Sequence, residues 1–586
     1  MVVPHENKSY QKRTGRAGAP PDPFAKFDEV AALMRPAFAR RATAEWFSAT
    51  SLGFAVRGDD LGVSSAVRAL GLEPQAYGSM VGCLRSDAWT PQGVTERWQR
   101  VVPRLVPLLA YNGRAVTPVD GCKVAKEAER MPAVKRLKQD SEDSSKAAFV
   151  FGHMTGAVGA LAGEPGACEC VPLDLGIHDG MRAAAGWDGG PELGIADEPH
   201  TLQCAKMACR AADNMGTDTY AVMDRYFMCK NALVTVLEHN EAARASGGPR
   251  VDLVTRCRRG STTCYLDPPP RDPHRAGRPP KKGAAVRPFE VIEEILGPEP
   301  AGEARRAKAK AKANAKAKAK ADANDAAVAD EAAVADEAKV ADASAGGTAR
   351  KGRKAMGTAL SYAEGGERWE FETVTASVRG KEHEYQALVL DLLWGECLYR
   401  RLRFVLVRDD EGRDMVLVTT DLTLTAAQVI ELYGLRWPCE PMFRTMKQDT
   451  MGFGYRFWSK VQPALDRRSR KGDPDPLESV EDPHERELIL GAYGAVARYL
   501  ALACVTTGTL QAIALEQPDD GAVAYHEYKR TQSAGKVSVA TVRSYLRERV
   551  SAFIHSDPAS GMAAFIRGRL VGEGGYAPSA QRRGRR

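Results

Sequence analysis

Between Leu432 and Gln448 the chain reads LYGLRWPCEPMFRTMKQ. Tyr433, Arg436, Glu440 and Lys447 follow one another at intervals of three, four and seven residues. On a continuous α-helix, at about 100° per residue, they fall within an arc of about 60°. One face then offers a phenol, two cations and a carboxylate, whereas a solvated face spreads its charges more widely. Pro438 interrupts this reading, because its ring lacks an N–H and clashes one turn back. The helix either kinks there or restarts with Pro438 as its first residue. After a restart Glu440 and Lys447 still share a face, while Arg436 can turn away and pair with Glu431.

A carboxylate among cations suits phosphoryl transfer. Three carboxylates on separated elements can hold two Mg²⁺ ions, hard cations that take carboxylate, water and phosphate oxygens. Two such ions about 4 Å apart activate a nucleophile and stabilise a leaving oxygen. Here the set is Asp120, Asp224 and Glu440. Asp120 closes the extended run RAVTPVD and Asp224 closes TYAVMD. Ligand sites in α/β sheets favour the carboxyl ends of strands. Spacing alone does not single out these three among 75 acidic residues, and a strand-end carboxylate is also an ordinary turn cap.

The elements that must position these groups read as follows. With 586 residues the chain exceeds one compact core, and about two to four domains are expected. A net charge of +7 fits a polyanionic partner. The polar, basic start MVVPHENKSYQKRTGR is no signal peptide, and twelve cysteines read as free thiols in a reducing compartment. Residues 1–24 are expected to be disordered. Residues 25–110 show helical spacing, with Thr90 as an N-cap and Pro91 at the first helical position. Arg40, Arg41, Arg68, Arg85, Arg97 and Arg100 make this region basic, either as a solvated bundle or as a DNA-docking surface. From Arg114 short apolar runs alternate with helical patterns, which argues for an α/β or α+β layer. The Ala/Lys-rich stretch at 301–345 has no apolar face and reads as a spacer. Strand patterns resume after it, and Thr425 with Gln428 forms a capping box for the helix carrying Tyr433. Leu488–Leu515 is apolar enough to suggest a membrane span, but Arg498 at its middle is costly in lipid. With Gly491, Gly494 and Gly508 it reads as a helical hairpin in a soluble core, and no membrane partner is expected.

The stretch from Tyr433 to Lys447 fits Tyr-x2-Arg-x3-Glu-x6-Lys, and the chain resembles the bacterial insertion-sequence DDE transposases that carry this signature. VDGCKVAKEAERMPAVKRLKQDSEDSSKAAFVFGHMTGA is similar to the block around that family's first Asp. AVMDRYF is similar to its second-Asp strand, and RAGRPPKKG to the basic loop of its insertion. VLVTTDLTLTAAQVIELYGLRWPCE is similar to the strand and helix that lead to its Glu. The resemblance spans residues 110–460. It implies a ribonuclease-H-like α/β catalytic core with a β-rich insertion, flanked by helical N- and C-terminal regions. The first segment of the catalytic core is expected at 111–245, the insertion at 246–410 and the second core segment at 411–470. A helical C-terminal region with a basic tail is expected at 471–586.

It further implies that Asp120, Asp224 and Glu440 ligate two Mg²⁺ ions, with Mn²⁺ as a substitute. Tyr433, Arg436 and Lys447 would hold phosphates at the cut DNA end, with Arg278 reaching a minor groove. The expected function is cutting element ends and joining them to target DNA. The partners are double-stranded DNA and a second copy of the chain in a synaptic dimer, in the cytoplasm on the nucleoid. The alternatives are a DNA-binding protein without catalysis and a nuclease of the same fold that performs no strand transfer. Cys168, Cys170, Cys204 and Cys209, with His178 and His200, match zinc-site spacings poorly. His153 reads equally as a packing residue or a phosphate contact. The terminal QRRGRR is read as a disordered tail with non-specific DNA affinity.

Overall fold

The computed structural model describes residues 21–59, 62–139, 148–178, 180–259, 263–270, 278–300, 369–395, 400–468, 473–518, 521, 523, 537–556 and 560–572. The spacer at 301–345, the terminal QRRGRR and residues 1–20 lie outside them. Thirteen helices are described. They are α1 (Pro23–Met34), α2 (Arg41–Val56), α3 (Val63–Ala69), α4 (Gln75–Arg85), α5 (Pro91–Leu105), α6 (His200–Met215) and α7 (Lys230–Ser246). Then follow α8 (Pro288–Leu296), α9 (Ala426–Gly434), α10 (Cys439–Arg444), α11 (Pro483–Glu516), α12 (Val539–Ser556) and α13 (Gly561–Arg567). The strands are β1 (Ala110–Tyr111), β2 (Arg114–Ala125), β3 (Lys135–Lys138), β4 (Phe149–Ala162), β5 (Glu169–His178), β6 (Thr219–Met223) and β7 (Val251–Arg256). They continue with β8 (Cys264–Tyr265), β9 (Ala285–Val286), β10 (Glu372–Val378), β11 (Lys381–Trp394), β12 (Arg400–Arg408) and β13 (Asp414–Thr419). The fold is mixed α/β, with mostly antiparallel strands and helical flanks.

Two compact units make up the chain: residues 1–110, 120–217 and 438–586 form the first, and residues 111–119 and 218–437 the second. In the first unit β4 runs antiparallel to β3 and to β5, with a bulge at Val158/Gly159. The end of β2 lies so close to β4 that a side chain at Gly152 would strike the Val124 carbonyl at 1.9 Å. Helix α1 begins at Pro23 behind an Asp22 cap, within the stretch expected to be disordered. The Thr90 cap and Pro91 are as the sequence predicts.

Leu488–Leu515 is not a hairpin. It belongs to the single 34-residue helix α11. By length and composition α11 could cross a membrane, and 83% of that window is buried inside the fold. It is apolar on all sides because β5, α2, α4 and α5 surround it. Arg498 reaches out of this core to the Trp89 carbonyl at 3.3 Å and to Asp87 at 3.7 Å. Its guanidinium pKa is lowered by burial and partly restored by Asp87.

In the second unit β2, β6 and β7 are parallel neighbours. Every residue of β6 is buried, as expected for a central parallel strand covered on both faces. β7 then pairs antiparallel with β13, and β13, β12, β11 and β10 follow as an antiparallel series. The unit's polar interior is held by Arg114, which pairs with Asp252 at 2.8 Å and Asp421 at 3.1 Å. α8 begins at Pro288, where the Pro- and Gly-rich chain before it ends. The capping box of Thr425 and Gln428 is formed at the start of α9.

Candidate functional site

Asp120 does not end its strand, contrary to the expectation from RAVTPVD. β2 continues to Ala125, but its pairing with β6 stops at Val119, opposite Met223. The residue after Met223 is Asp224, which does follow its strand directly. Asp120 Oδ1 accepts the Gly121 amide at 2.7 Å. A Cβ at Gly121 would sit 2.5 Å from Met154 Cε and 2.8 Å from His200 Cε1, so a larger residue there would push these side chains aside.

The expected continuous helix through Tyr433 and Lys447 is broken. α9 ends at Gly434, turns through 435–438, and α10 starts at Cys439 with Pro438 as its N-cap. A π-helical turn, Thr445–Asp449, follows α10 and carries Lys447. Pro438 therefore restarts the helix, and the narrow arc of four side chains is lost. A π turn also holds more residues than an α turn, so Glu440 and Lys447 are offset from the α-helical register. Glu431, considered as a partner of Arg436, accepts the Tyr111 hydroxyl at 2.5 Å and the Ser377 amide at 3.0 Å.

The unit boundary falls between Trp437 and Pro438, so the signature is shared out. In the first unit the indicator is Cys122, two residues after Asp120. Burial pushes its thiol pKa up, the neighbouring Lys447 ammonium pulls it down, and Cys439 and Asp120 raise it further. Asp120, Lys447 and the residue before Glu440 thus gather around one thiol. Asp120 is half-buried, and Glu440 and Lys447 are exposed.

In the second unit the indicator is Tyr433. Burial raises the pKa of its phenol, Arg436 and Arg256 lower it, and Asp224 raises it. Asp224, Tyr433 and Arg436 are therefore neighbours. Arg256 ends β7, next to the strand of Asp224, and hydrogen-bonds the Tyr433 side chain. Arg256 was not among the residues expected from sequence, although a cation closing the strand beside the second Asp strand was its available signal. Thr255 Oγ1 donates to the Asp224 carbonyl at 2.8 Å. Two exposed aromatics flank these residues: Trp437, 42% accessible beneath Arg379 at 4.0 Å, and Tyr226, 58% accessible beneath Arg258 at 4.6 Å. Arg278 is exposed in the chain leading to β9.

Among the described residues no three His, Cys, Asp or Glu side chains are gathered as a metal site. Mg²⁺ requires no such cage, since it keeps waters and takes one or two carboxylates plus phosphate oxygens. Accessible Asp120, Asp224 and Glu440 are donors of that kind. The His200 ring lies tilted against that of His178, with centroids 4.9 Å apart, and 3.5 Å from Cys204 Sγ. Burial lowers the His200 pKa to about 4. No family model matches the chain, and no curated protein matches it.

Proposed function

We propose that the chain is a DNA transposase of the DDE type, built on a ribonuclease-H-like core, that cuts element ends and joins them to target DNA. One observation carries this reading. In one unit Lys447 stands with Asp120 around Cys122, and in the other Tyr433 and Arg436 stand beside Asp224. An unrelated surface would have no reason to sort its charges in this way. The strand arrangement supports it as well: β2, β6 and β7 are parallel in one unit, while β4 and β5 are antiparallel beside the end of β2 in the other.

Asp120, Asp224 and Glu440 act as hard oxygen ligands. Mg²⁺, or Mn²⁺ in its place, supplies when bound the activation of the attacking oxygen and the stabilisation of the leaving one. Arg436 offers phosphate a planar fork, and Lys447 a point charge. Tyr433 stays protonated, because burial raises its pKa, and donates to a phosphate oxygen. The partners are double-stranded DNA and a second copy of the chain that brings the two element ends together, on the nucleoid in the cytoplasm.

The test is cleavage of a labelled element-end duplex in Mg²⁺ by the wild-type chain and by Asp120→Ala, Asp224→Ala and Glu440→Ala. Each variant should lose cleavage while keeping DNA affinity, which phosphate contacts dominate. Near wild-type cleavage by any one of them would refute the assigned triad. Joining of pre-cut ends to a plasmid separates transposase from nuclease.

A further inference from the structure

The segment that carries Glu440 and Lys447 closes on a strained turn. Lys447 lies in the π-helical turn Thr445–Asp449, a rare form that often marks functional places. Two residues beyond it Met451 has φ 51°, the left-handed region that a side chain disfavours. Such a backbone persists where its surroundings over-determine it. Here Arg57, at the C-cap of α2, does so. Its Nη2 donates to the carbonyls of Thr450 at 3.0 Å and Met451 at 2.8 Å. The same nitrogen meets the Tyr499 hydroxyl at 3.1 Å, and that hydroxyl also donates to the Met451 carbonyl at 3.1 Å.

Arg57 is fully buried, at 0% exposure. Among the described residues its partners are the carbonyls of Gly62, Thr450 and Met451, the Tyr499 hydroxyl and the Phe54 ring at 4.1 Å, and none is a carboxylate. Among the described residues its buried Nε has no hydrogen-bond partner. Burying a cation among neutral partners is an expensive way to hold helices together. From α12, Arg543 donates to the carbonyls of Ala55 and Arg57 at 2.9 and 2.8 Å, and Arg547 to that of Val56 at 3.1 Å, stiffening the base on which Arg57 stands.

We infer that Arg57 is a positioning residue. It fixes the left-handed turn at Met451 and thereby sets the π-helical turn that aims Lys447 and the helix that carries Glu440. What Glu440 and Lys447 then do rests on the phosphoryl-transfer reading; the lock itself does not. Lysine at 57 keeps the charge but loses the planar group whose Nη2 holds the Thr450 and Met451 carbonyls while its Nη1 is tied to the Gly62 carbonyl, so the hold on the turn loosens. Glycine at 451 adopts the same φ without strain, so it removes the need for holding.

The experiment compares full-length wild type, Arg57→Lys, Arg57→Met and the double variant Arg57→Lys/Met451→Gly. Two readouts are amide hydrogen exchange and the cleavage rate at saturating DNA and Mg²⁺. In Arg57→Lys, exchange over residues 445–452 should rise about tenfold or more, with β4 and β5 unchanged. Cleavage should slow about tenfold, with DNA affinity within about twofold of wild type. The double variant should recover most of both losses. Unchanged exchange over 445–452 in both single variants, or a rise spread evenly over the fold, would overturn the inference. If the wild type cleaves and Arg57→Lys cleaves as fast, the inference fails alone. If exchange loosens locally but the wild type cuts no element end, the lock stands and the phosphoryl-transfer reading fails.

Discussion

Lys126 is the first residue past the strand that carries Asp120, and its amine points inward. It donates to the carbonyls of Phe453 at 2.5 Å and Tyr455 at 3.1 Å and lies 3.6 Å from the centre of the Tyr455 ring. The Tyr455 hydroxyl meets His153 Nδ1 at 2.7 Å, and His153 Nε2 meets the Pro132 carbonyl at 2.8 Å. A carbonyl only accepts, so Nε2 carries the proton and Nδ1 accepts from the tyrosine. With both nitrogens engaged and no exposed surface, His153 is the packing residue of its two readings. Sequence could not decide this, because its partners lie 21 and 302 residues away. Burial, reinforced by nearby Arg456, pulls the Lys126 amine from its ordinary 10.5 down to about 7. The unfolded chain therefore binds a proton between pH 7 and 10.5 that the folded chain does not, and stability rises with pH across that window. Below pH 7 both states are protonated and the cost of burying the ammonium is felt in full. Lys126→Met should remove this rise. Thermal midpoints of both proteins at pH 7, 8.5 and 10 should converge toward high pH, and parallel curves would show that Lys126 titrates normally in the fold.

At the scale of elements, strands were the most legible. RVDLVTR, YQALVLDLLW and DMVLVT correspond to β7, the last ten residues of β11 and β13, because short apolar runs between turn residues read as strands. Helices were misjudged where one residue serves two purposes. Pro438 was recognised as a breaker, yet only the fold shows a full restart at Cys439 followed by a π turn. In α11 three glycines suggested a hairpin, but two of them make room for packing. A Cβ at Gly508 would lie 2.3 Å from the Trp98 ring, and one at Gly494 2.9 Å from Arg498. Trp98 is almost wholly buried and donates its Nε1–H to the Pro172 carbonyl at 2.8 Å, so it has nowhere to retreat. Gly508→Ala should therefore destabilise the chain by about 1–3 kcal/mol through overpacking, although alanine is the better helix former by about 1 kcal/mol. Gly491→Ala meets nothing within 4 Å and should be neutral or slightly stabilising. Thermal midpoints of the two variants measure the difference, and equal midpoints would mean that packing at Trp98 is not what Gly508 serves.

For the whole molecule, the question is what the low-complexity stretch between α8 and β10 contributes. Both of its flanks belong to the same unit. On one side Glu299 accepts the Asp414 amide at 3.0 Å and pairs with Arg259 at 2.6 Å, and Arg408 donates to the carbonyls of Leu296 and Gly297 at 2.7 and 2.8 Å. These bonds fasten the chain at the start of β13, just before it enters 301–345. On the other side the chain enters β10, which pairs with β11 along seven residues. The two attachment points are thus fixed by interactions that do not involve the stretch. Its sequence, repeating Ala and Lys and then Ala, Val and Asp, has no apolar stripe that packing could use. Lengthening a loop costs only about 0.6 kcal/mol per doubling, so shortening one returns equally little. Replacing Arg305–Ala343 with a short Gly/Ser linker should leave the thermal midpoint within about 2 °C and cleavage within about twofold, since neither the core nor the candidate ligands are touched. The lysines it removes can neutralise phosphates, so log affinity for DNA should fall less steeply with log salt, by about 0.9 for each phosphate that is no longer neutralised. A midpoint lowered by about ten degrees would show that the stretch packs on the second unit. An unchanged salt slope with an unchanged midpoint would show that the lysines of the stretch neutralise no phosphate.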